Sequence, residues 1–196
     1  MENILFFDTE TTGVIPKGYQ NPFCYYNQHP RVVQLSWKIG DKEGDFIIKP
    51  DGFTIPDGAA AVHGITTEKA IAEGVPYHDA FMAFFSDLKD VKTICAHNAQ
   101  FDMTVIVSEY IRMSNIERAN KFYNFLYGKQ LYDTMKQQSI IDFVGARYKN
   151  GMPGKFPRLE ELYWKLFEEK FPAHNSMEDV RALEKCFFEC RKRNLI

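Results

Sequence analysis

The sequence predicts one α/β domain in which helices flank a central mixed sheet. Strand-like patterns dominate residues 3–50, and helical and strand-like patterns alternate from residue 66 onwards. The chain has 196 residues, of which 45% are hydrophobic, so it can bury a self-sufficient core. We therefore expect a single domain over residues 1–196.

The first strand is expected at the centre of the sheet. Residues 3–8 (NILFFD) form a nearly continuous apolar run, which is typical of a strand covered on both faces. Residues 31–39 alternate between two faces, and a further strand is expected at 44–50 after the polar residues 41–43. The simplest arrangement of these three segments is a β-meander.

Helices and strands alternate in the rest of the chain. The expected helices lie near residues 66–73, 77–89, 99–113, 134–143, 158–168 and 176–192. The expected strands lie at residues 91–97 and 130–133. Two irregular segments remain, residues 14–30 and 145–157, and loops of this length in a compact domain are usually functional or mobile.

Composition excludes several classes of protein. With 24 Lys and Arg against 26 Asp and Glu, the net charge of -2 does not suit a protein that binds nucleic acid by bulk positive charge. The four cysteines contain no CxxC pair and are expected as reduced thiols. The chain shows neither a signal peptide nor an apolar run of the roughly 18 residues that span a bilayer, so we expect a cytoplasmic protein with no membrane partner.

Two acidic residues end the first strand. Asp8 and Glu10 lie two positions apart in FDTETTG, so their side chains share one face of an extended chain. Two carboxylates on one face can converge on a small target. Alternatively, this segment is only a polar strand end that enters a turn at Gly13.

A second acid opens the helix expected at 99–113. Asp102 ends the segment HNAQFD, and the helix around it is apolar on nearly every side, so the carboxylate cannot easily reach bulk water. The helix macrodipole favours an acid near a helix start by about 0.3 to 1 kcal/mol, which explains the position but not the apolar surroundings. His97, at the end of the preceding strand, is expected to orient or support its neighbours rather than to bind a metal.

A third polar cluster, HNSMED at 174–179, precedes the last helix. Asp179 lies on the apolar stripe of that helix, whereas Glu178 faces solvent. Ser176 and Asp179 also have the spacing of a capping box, which is an alternative explanation for both residues. His174 precedes the helix and could lie beside Asp179.

Four carboxylates from three parts of the chain would repel one another by several kcal/mol in a partly buried site. They are Asp8, Glu10, Asp102 and Asp179. Oxygen ligands suit Mg²⁺ or Mn²⁺, whereas zinc prefers His or Cys. Two such ions about 3.5 to 4 Å apart can clamp the attacking and leaving oxygens of phosphoryl transfer. A neighbouring histidine, here His174, is a suitable base for the attacking water.

The three clusters resemble the motifs of a known family. FDTETTG at 7–13 resembles the first motif of the DEDDh branch of the DnaQ-like 3′-to-5′ exonucleases, HNAQFD at 97–102 the second, and HNSMED at 174–179 the third. VHGIT at 62–66 and LYDT at 131–134 resemble further segments of that family. The resemblance covers nearly the whole chain and implies a ribonuclease-H-like fold with a five-stranded mixed sheet.

The resemblance also implies roles for individual residues. Asp8, Glu10 and Asp179 would bind one metal ion. Asp8 and Asp102 would bind a second ion, directly or through water, and His174 would be the general base. The implied cofactors are thus two divalent cations, Mg²⁺ or Mn²⁺.

The resemblance further implies a set of substrate contacts. The backbone after Glu10 would lie against the terminal nucleotide, and Asn98 would lie near the neighbour of the scissile phosphate. His63 could stack on a base, although a lone loop histidine is as often structural. The residues expected to contact substrate are Thr9, Thr11, Thr12, Gly13, His63, Asn98 and Phe101.

The implied reaction is hydrolysis that releases nucleoside 5′-monophosphates from a single-stranded or frayed 3′ end, with DNA favoured. Three alternatives remain: an exoribonuclease that trims RNA 3′ ends, a polymerase-associated proofreading module, and a non-catalytic binding module on the same fold. Loss of one acid or of His174 would have favoured the last of these, and none is lost. A polymerase or a second copy of the chain is a conceivable partner that the sequence does not identify.

The long loop at 14–30 contains four aromatic residues, Tyr19, Phe23, Tyr25 and Tyr26. We consider two roles for them. They could offer a stacking surface to single-stranded substrate, or they could pack against the sheet.

Overall fold

The computed structural model describes residues 3–196. Its sheet has five strands, which are β1 (Ile4–Thr11), β2 (Val32–Ile39), β3 (Lys42–Ile47), β4 (Thr93–Ala96) and β5 (Gln130–Asp133). Their order across the sheet is β3-β2-β1-β4-β5. Strands β1, β2 and β3 pair antiparallel, whereas β4 is parallel to β1 and β5 is parallel to β4. The prediction of a mixed sheet with a central first strand and a β-meander is confirmed.

Nine α-helices lie within the described residues. They are α1 (Pro22–Tyr25), α2 (Asp57–His63), α3 (Thr67–Glu73), α4 (Tyr77–Leu88), α5 (Ala99–Met113), α6 (Ile116–Tyr127), α7 (Gln138–Val144), α8 (Leu159–Phe167) and α9 (Ser176–Lys192). A single 3-10 turn at Tyr26–Gln28 follows α1. Within residues 3–196, no helix is both long and apolar enough to cross a membrane.

Strand β1 separates two parts of the hydrophobic core because its side chains alternate between the faces of the sheet. Leu5 and Phe7 point to the core formed with α4, α5 and α6. Ile4 and Phe6 point to the core formed with α8 and α9. The continuous apolar run in the sequence thus reflects burial on both faces.

Several predicted boundaries were wrong. Strand β3 begins at Lys42 rather than at residue 44, because Gly40 and Asp41 alone form the hairpin loop and Ile39 pairs with Lys42. Gly40 adopts a φ of 55°, which suits a two-residue hairpin.

The helix expected from residue 134 begins only at Gln138. Asp133 explains the delay, since its Oδ1 accepts a hydrogen bond from the Met135 N–H at 3.1 Å and its carbonyl accepts one from the Lys136 N–H at 3.1 Å. These bonds hold residues 134–137 in a turn.

Helices α2 and α6 were not predicted. Helix α6 did carry a readable signal, because the Asn115 side chain accepts a hydrogen bond from the Arg118 N–H at its start. Ala119, Phe122 and Leu126 then recur at helical spacing on its buried face.

The loop at 14–30 is only partly irregular. Helix α1 and the 3-10 turn lie within it, and the Arg112 guanidinium of α5 donates to the carbonyls of Tyr26 and His29. Phe23 packs edge-on against Tyr123 at 5.3 Å, whereas Tyr25 stays exposed beside Tyr19. Both considered roles therefore find some support, with packing carried by one part of the loop.

All four cysteines are free thiols, as expected. Cys95, Cys186 and Cys190 are buried in the core and Cys24 is exposed.

Candidate active site

Three carboxylates gather at the carboxyl end of β1. Asp8 and Glu10 lie on the same face of the strand, and Asp179 comes from the first turn of α9, which packs on that face. One carboxylate oxygen from each residue lies within 4.8 Å of the others. Within residues 3–196, no lysine or arginine forms an ion pair with any of the three.

Two hydrogen bonds fix the start of α9 against the strand. The Ser176 hydroxyl donates to the Asp8 carbonyl at 2.8 Å, and the Ser176 N–H donates to Gln34 Oε1 at 3.3 Å. The helix cap is Asn175, whose side chain accepts from the Glu178 N–H, so the suggested capping box from Ser176 is not formed. Ser176 instead joins the last helix to β1.

Burial raises the pKa values of the three acids, and for Glu10 and Asp179 the neighbouring acids add to the shift. Burial raises the pKa of Asp8 to about 6, although the nearby Ser176 hydroxyl and Thr9 N–H oppose the shift. Burial and the charge of Asp8 raise the pKa of Glu10 to about 8. Burial together with the charges of Asp8 and Glu10 raises the pKa of Asp179 to about 9.

These observations test whether a cation fits the site. The donors are carboxylate oxygens only, which suits a hard divalent ion such as Mg²⁺ or Mn²⁺. The raised pKa values mean that positive charge at this point would lower the energy of the ionised acids. Asp8, Glu10 and Asp179 therefore fit a divalent cation.

Asp102 does not join this cluster, although the sequence placed it among the metal ligands. Its side chain is 3% exposed, and its Oδ1 accepts hydrogen bonds from the Thr9 N–H at 3.1 Å and the Thr9 hydroxyl at 2.7 Å. Thr9 points to the opposite face of β1 from Asp8, because adjacent side chains alternate. Burial and the charge of Asp8 raise the pKa of Asp102 well above its usual range.

His174 stands at the mouth of the site. Its backbone N–H donates to Asp179 Oδ2 at 3.0 Å, and its φ of 68° turns the chain sharply before the helix. The imidazole Nε2 lies 3.6 Å from Glu160 Oε1, and its side chain is 54% exposed. His174 thus lies beside Asp179, as expected, but its backbone N–H makes the contact. Its imidazole ring faces the open cavity.

The cavity has a volume of about 360 Å³ and two dissimilar walls. One wall contains Asp8, Glu10, Asp179 and His174. The other contains His97, Asn98, Met135 and residues 156–160. The size and openness of this space allow a flexible polymer end to enter.

His97 holds the second wall in place. Its Nε2 lies 2.9 Å from the Pro157 carbonyl, which can only accept, so Nε2 carries the proton. Its Nδ1 then accepts from the Thr134 hydroxyl at 2.9 Å. Burial lowers the pKa of His97 and keeps the ring neutral. This geometry matches the orienting role predicted for His97.

The residues expected to contact substrate occupy different environments. Thr9 is hydrogen-bonded to Asp102 and largely buried, yet it lines the cavity. Asn98 also lines the cavity, at the start of α5, with a φ of 76°. Phe101 is half-buried and packs against the core in the first turn of that helix.

The segment after Glu10 is held by its own hydrogen bonds. The Thr11 hydroxyl donates to the Gly13 carbonyl at 2.6 Å. Thr12 exchanges two hydrogen bonds with the backbone of Arg31, both at 2.9 Å. Gly13 itself is exposed.

His63 is buried, contrary to the picture of an open stacking residue. Its Nδ1 accepts from the Ile65 N–H at 3.2 Å, so the neutral ring carries its proton on Nε2. That N–H has no hydrogen-bond partner within the described chain. Burial lowers the pKa of His63, and the nearby Thr11 carbonyl opposes this shift without completing a hydrogen bond.

Sequence reasoning missed several residues of the site. Gln34 and Ser176 position the last helix, and Phe156 and Glu160 line the cavity. Ser176 could have been recognised from its position directly after the helix cap, because a small hydroxyl there can approach a neighbouring strand. Phe156 and Glu160 lie outside the recognisable motifs and depend on how the loop before α8 folds back.

Comparisons with known proteins bear on the family and the fold. The model of the RNase_T family, described as exonuclease, matches residues 5–187. A comparison with curated proteins gave no significant match.

Solved structures of Exonuclease I share the fold. The chain is 22% identical to E. coli Exonuclease I in complex with a dA16 oligonucleotide, with a TM-score of 0.72, covering 100% of this chain and 42% of that one. The same enzyme in complex with a dT13 oligonucleotide gives 22% identity and a TM-score of 0.71, with coverage of 100% and 42%. Exonuclease I from Methylocaldum szegediense gives 18% identity and a TM-score of 0.72, with coverage of 98% and 41%.

The chain thus spans less than half of the length of these solved proteins. At this level of identity the likeness establishes the fold. The α/β architecture with a five-stranded mixed sheet is that of their exonuclease domain.

Proposed function

The chain belongs to the RNase_T family of exonucleases, DnaQ-like hydrolases of phosphodiester bonds, and on that premise we propose that it removes nucleotides from the 3′ end of nucleic acid. The products would be nucleoside 5′-monophosphates. The observation that carries this proposal is the cluster of Asp8, Glu10 and Asp179 at the edge of an open cavity, where no lysine or arginine of residues 3–196 forms an ion pair with it.

The acids have the properties that a divalent cation requires. Asp8, Glu10 and Asp179 would hold one ion, and Asp102, on the other face of β1, would support a second through Asp8. A bound divalent cation would supply Lewis-acid stabilisation of the charge that develops on the phosphate oxygens. Without it, the acids would repel a polyanion.

His174 is the proposed general base. Hydrolysis requires a water oxygen to bond to phosphorus while the bond to the O3′ of the preceding nucleotide breaks. The proton lost by the water would pass to the imidazole, which faces the cavity and is free enough to turn. Glu160 would orient the ring, and the backbone N–H of His174 keeps Asp179 in place.

Several polar groups would hold the terminal nucleotide. Asn98 would contact the substrate within the cavity, and Thr11 to Gly13 would lie along the terminal sugar. The unpaired Nε2–H of His63 supports a ligand role, since leaving a buried donor without a partner costs about 1 to 3 kcal/mol. Thr9 and Phe101 would support the site indirectly. Thr9 would hold Asp102 through their hydrogen bond, and Phe101 would hold the start of α5 through its packing.

Single-stranded DNA is the favoured substrate. The solved relatives described above include complexes with dA16 and dT13 oligonucleotides, which concerns those proteins and supports the same substrate class here. An RNA substrate would require tolerance of the terminal 2′-hydroxyl.

One experiment tests the proposal directly. DNA and RNA oligonucleotides labelled at either end would be incubated with the protein in Mg²⁺, Mn²⁺ or chelator, and the products separated on a gel. We expect metal-dependent shortening from the 3′ end, lost in Asp8→Asn and retained in Asp41→Asn, a change in the exposed hairpin loop. Metal-dependent activity that survives Asp8→Asn would contradict the assignment.

A further inference from the structure

Residues 145–158, which we call the basic loop, combine positive charge with exposed rings beside the active-site cavity. The segment contains four cations and no acid, in a chain whose net charge is -2. The four are Arg147, Lys149, Lys155 and Arg158. Such a local excess of positive charge attracts a polyanion even when the whole protein is nearly neutral.

Several of these charges are available to a ligand. Lys149 has no ion pair in the part of the chain that the structure describes. Arg158 is 68% exposed and lies 3.8 Å from Glu161, which already binds Lys155 at 2.9 Å. The Glu161 carboxylate is therefore shared by Lys155 and Arg158, and the loop keeps a net positive charge.

Aromatic and apolar side chains alternate with the charges. Tyr148 and Phe156 are each 48% exposed, and Met152 is exposed between them. Large exposed rings among cations are the composition of surfaces that bind single strands, because bases stack on the rings while phosphates meet the cations.

The loop is ordered and fixed to the site. Tyr148 donates its N–H to the Met152 carbonyl at 2.9 Å, and Gly151 donates to the Tyr148 carbonyl at 2.8 Å, which closes the tip into a tight turn. At the other end, the His97 ring bonds to the carbonyl of Pro157, which ties the base of the loop to the cavity.

The end of the loop lines the cavity. Phe156 and Arg158 line the same space as His174 and Asp179. Phe156 follows Met152 by four positions, so the tip lies within about 14 Å of the cavity wall. A strand that leaves the cavity can therefore follow the loop over its next nucleotides.

We propose that the basic loop is a binding surface for the single strand upstream of the scissile bond, and this proposal rests on the function proposed above. Phe156 and Tyr148 would stack on bases, and Arg158 and Lys149 would meet phosphates. The contacts are to rings and backbone, so binding would be independent of sequence. The loop would thus favour long substrates over short ones.

The test compares a long and a short substrate. Hydrolysis of an oligothymidylate of about 15 nucleotides, a length within the range of single-strand binding sites, would be compared with hydrolysis of a thymidine dinucleotide in Mg²⁺ or Mn²⁺. In the variant Tyr148→Ala with Lys149→Ala, we expect KM for the long substrate to rise about tenfold while kcat changes less than about twofold, since ring and phosphate contacts together are lost. The advantage of the long substrate in KM should shrink accordingly.

Two variants serve as comparisons. Lys121→Ala removes an exposed charge on α6, outside the basic loop, and should keep the wild-type KM for the long substrate. Tyr148→Phe keeps the ring, so its KM for the long substrate should be lower than that of Tyr148→Ala. Lys149→Ala alone should also flatten the dependence of log KM on log salt by about 0.7, the value for one phosphate contact of a single strand.

Specific outcomes overturn the proposal. If the wild type is active and the double variant keeps the wild-type KM for the long substrate, the basic loop has no role in binding and the proposed function stands. If the wild type hydrolyses neither substrate, the proposed function fails, and anisotropy of the same oligothymidylate carrying fluorescein then tests the loop directly.

In that binding assay, weaker binding by the double variant than by Tyr148→Phe supports the surface, and equal binding overturns it. Equal binding together with altered sedimentation would assign the rings to a protein contact instead.

Discussion

Each face of β1 lies against an acid from the first turn of a helix, but the environments of the two acids differ. On one face Asp8 and Glu10 meet Asp179 from the start of α9, and the three carboxylates share an open cluster. On the other face Thr9 meets Asp102 from the start of α5, and the carboxylate is closed off by hydrogen bonds. Both acids lie in the first turn of a helix.

This comparison shows that the environment of an acid in the first turn of a helix depends on the β1 side chain that it faces. An acid opposite two further acids stays short of hydrogen-bond donors and is ready to bind a cation. An acid opposite a threonine receives two donors and becomes a fixed part of the core. Asp102 therefore contacts the site through its hydrogen bonds to Thr9 and through the charge of Asp8, which raises its pKa.

The largest effect should come from breaking the open cluster. Asp179→Asn removes one charge of the cation site, and we expect the rate of hydrolysis to fall at least a hundredfold, within the range of about 10² to 10³ for loss of one preorganised electrostatic group. The fold should persist because Ser176 still bonds to β1. The measurement is kcat on a labelled oligonucleotide, with circular dichroism as the check of folding.

The adjacent residue provides the control. Glu178 pairs with Arg181 at 2.6 Å outside the cluster, so Glu178→Gln should keep most of the activity. An equal loss in both variants would show that the charge of the helix start, and not the cluster, is what matters.

The sequence could predict this contrast only in part. The two-residue spacing of Asp8 and Glu10 determines that they share a face, and the apolar stripe of the last helix correctly assigned Asp179 to the inside. The strand face that each helix covers depends on packing between segments that are far apart in the chain. The sequence therefore did not show that the Asp102 carboxylate would accept a hydrogen bond from Thr9, and the role of Asp102 at a second ion stays a prediction.

A second effect should appear in the pH dependence of stability without metal. Glu10 has a pKa of about 8 and Asp179 of about 9 in the folded protein, whereas both lose their protons near pH 4 when unfolded. Between these limits the folded state holds more protons, so the free energy of unfolding falls as the pH rises through the folded pKa values.

In the window from about pH 7 to 9 the histidines with lowered pKa values are already neutral. The buried thiols of Cys95, Cys186 and Cys190 have raised pKa values and also lower the stability here, so the contribution of the acids is the difference between the wild type and Asp179→Asn. In chelator we expect a loss of at least about 1.4 kcal/mol over this window, the equivalent of one pKa unit. Urea denaturation at both pH values measures it. Asp179→Asn should lose less, and Mg²⁺ or Mn²⁺ should stabilise the wild type more at the higher pH because fewer protons must leave.

The smallest effect should come from a change on the face of β1 where Thr9 bonds to Asp102. Thr9→Val removes the hydroxyl that donates to Asp102 at 2.7 Å, and we expect a loss of about 1 kcal/mol in the free energy of unfolding. Thr9→Ser keeps the donor and should recover most of it. If valine and serine were equally stable, the hydroxyl would contribute nothing, and the contrast between the two faces would rest on burial alone.

The fold itself was more predictable than the site. Apolar runs and alternation identified every strand, because burial of both faces leaves a strong mark on the sequence. The unpredicted helix α6 has exposed polar residues on most of its surface and only a narrow buried stripe. The placement of Phe156 beside the cavity depends on the bond from His97 to Pro157, which joins positions 60 residues apart and leaves no local pattern.

The bond from the Ser176 hydroxyl to the Asp8 carbonyl joins positions 168 residues apart. It has a consequence for the order in which the protein is made. Domains begin to fold as the chain emerges from the ribosome, so β1 to β3 can pair long before the last helix is synthesised. Until α9 docks, Asp8 and Glu10 lack their third partner, and a nascent chain passes beside ribosomal and messenger RNA without a finished cation site.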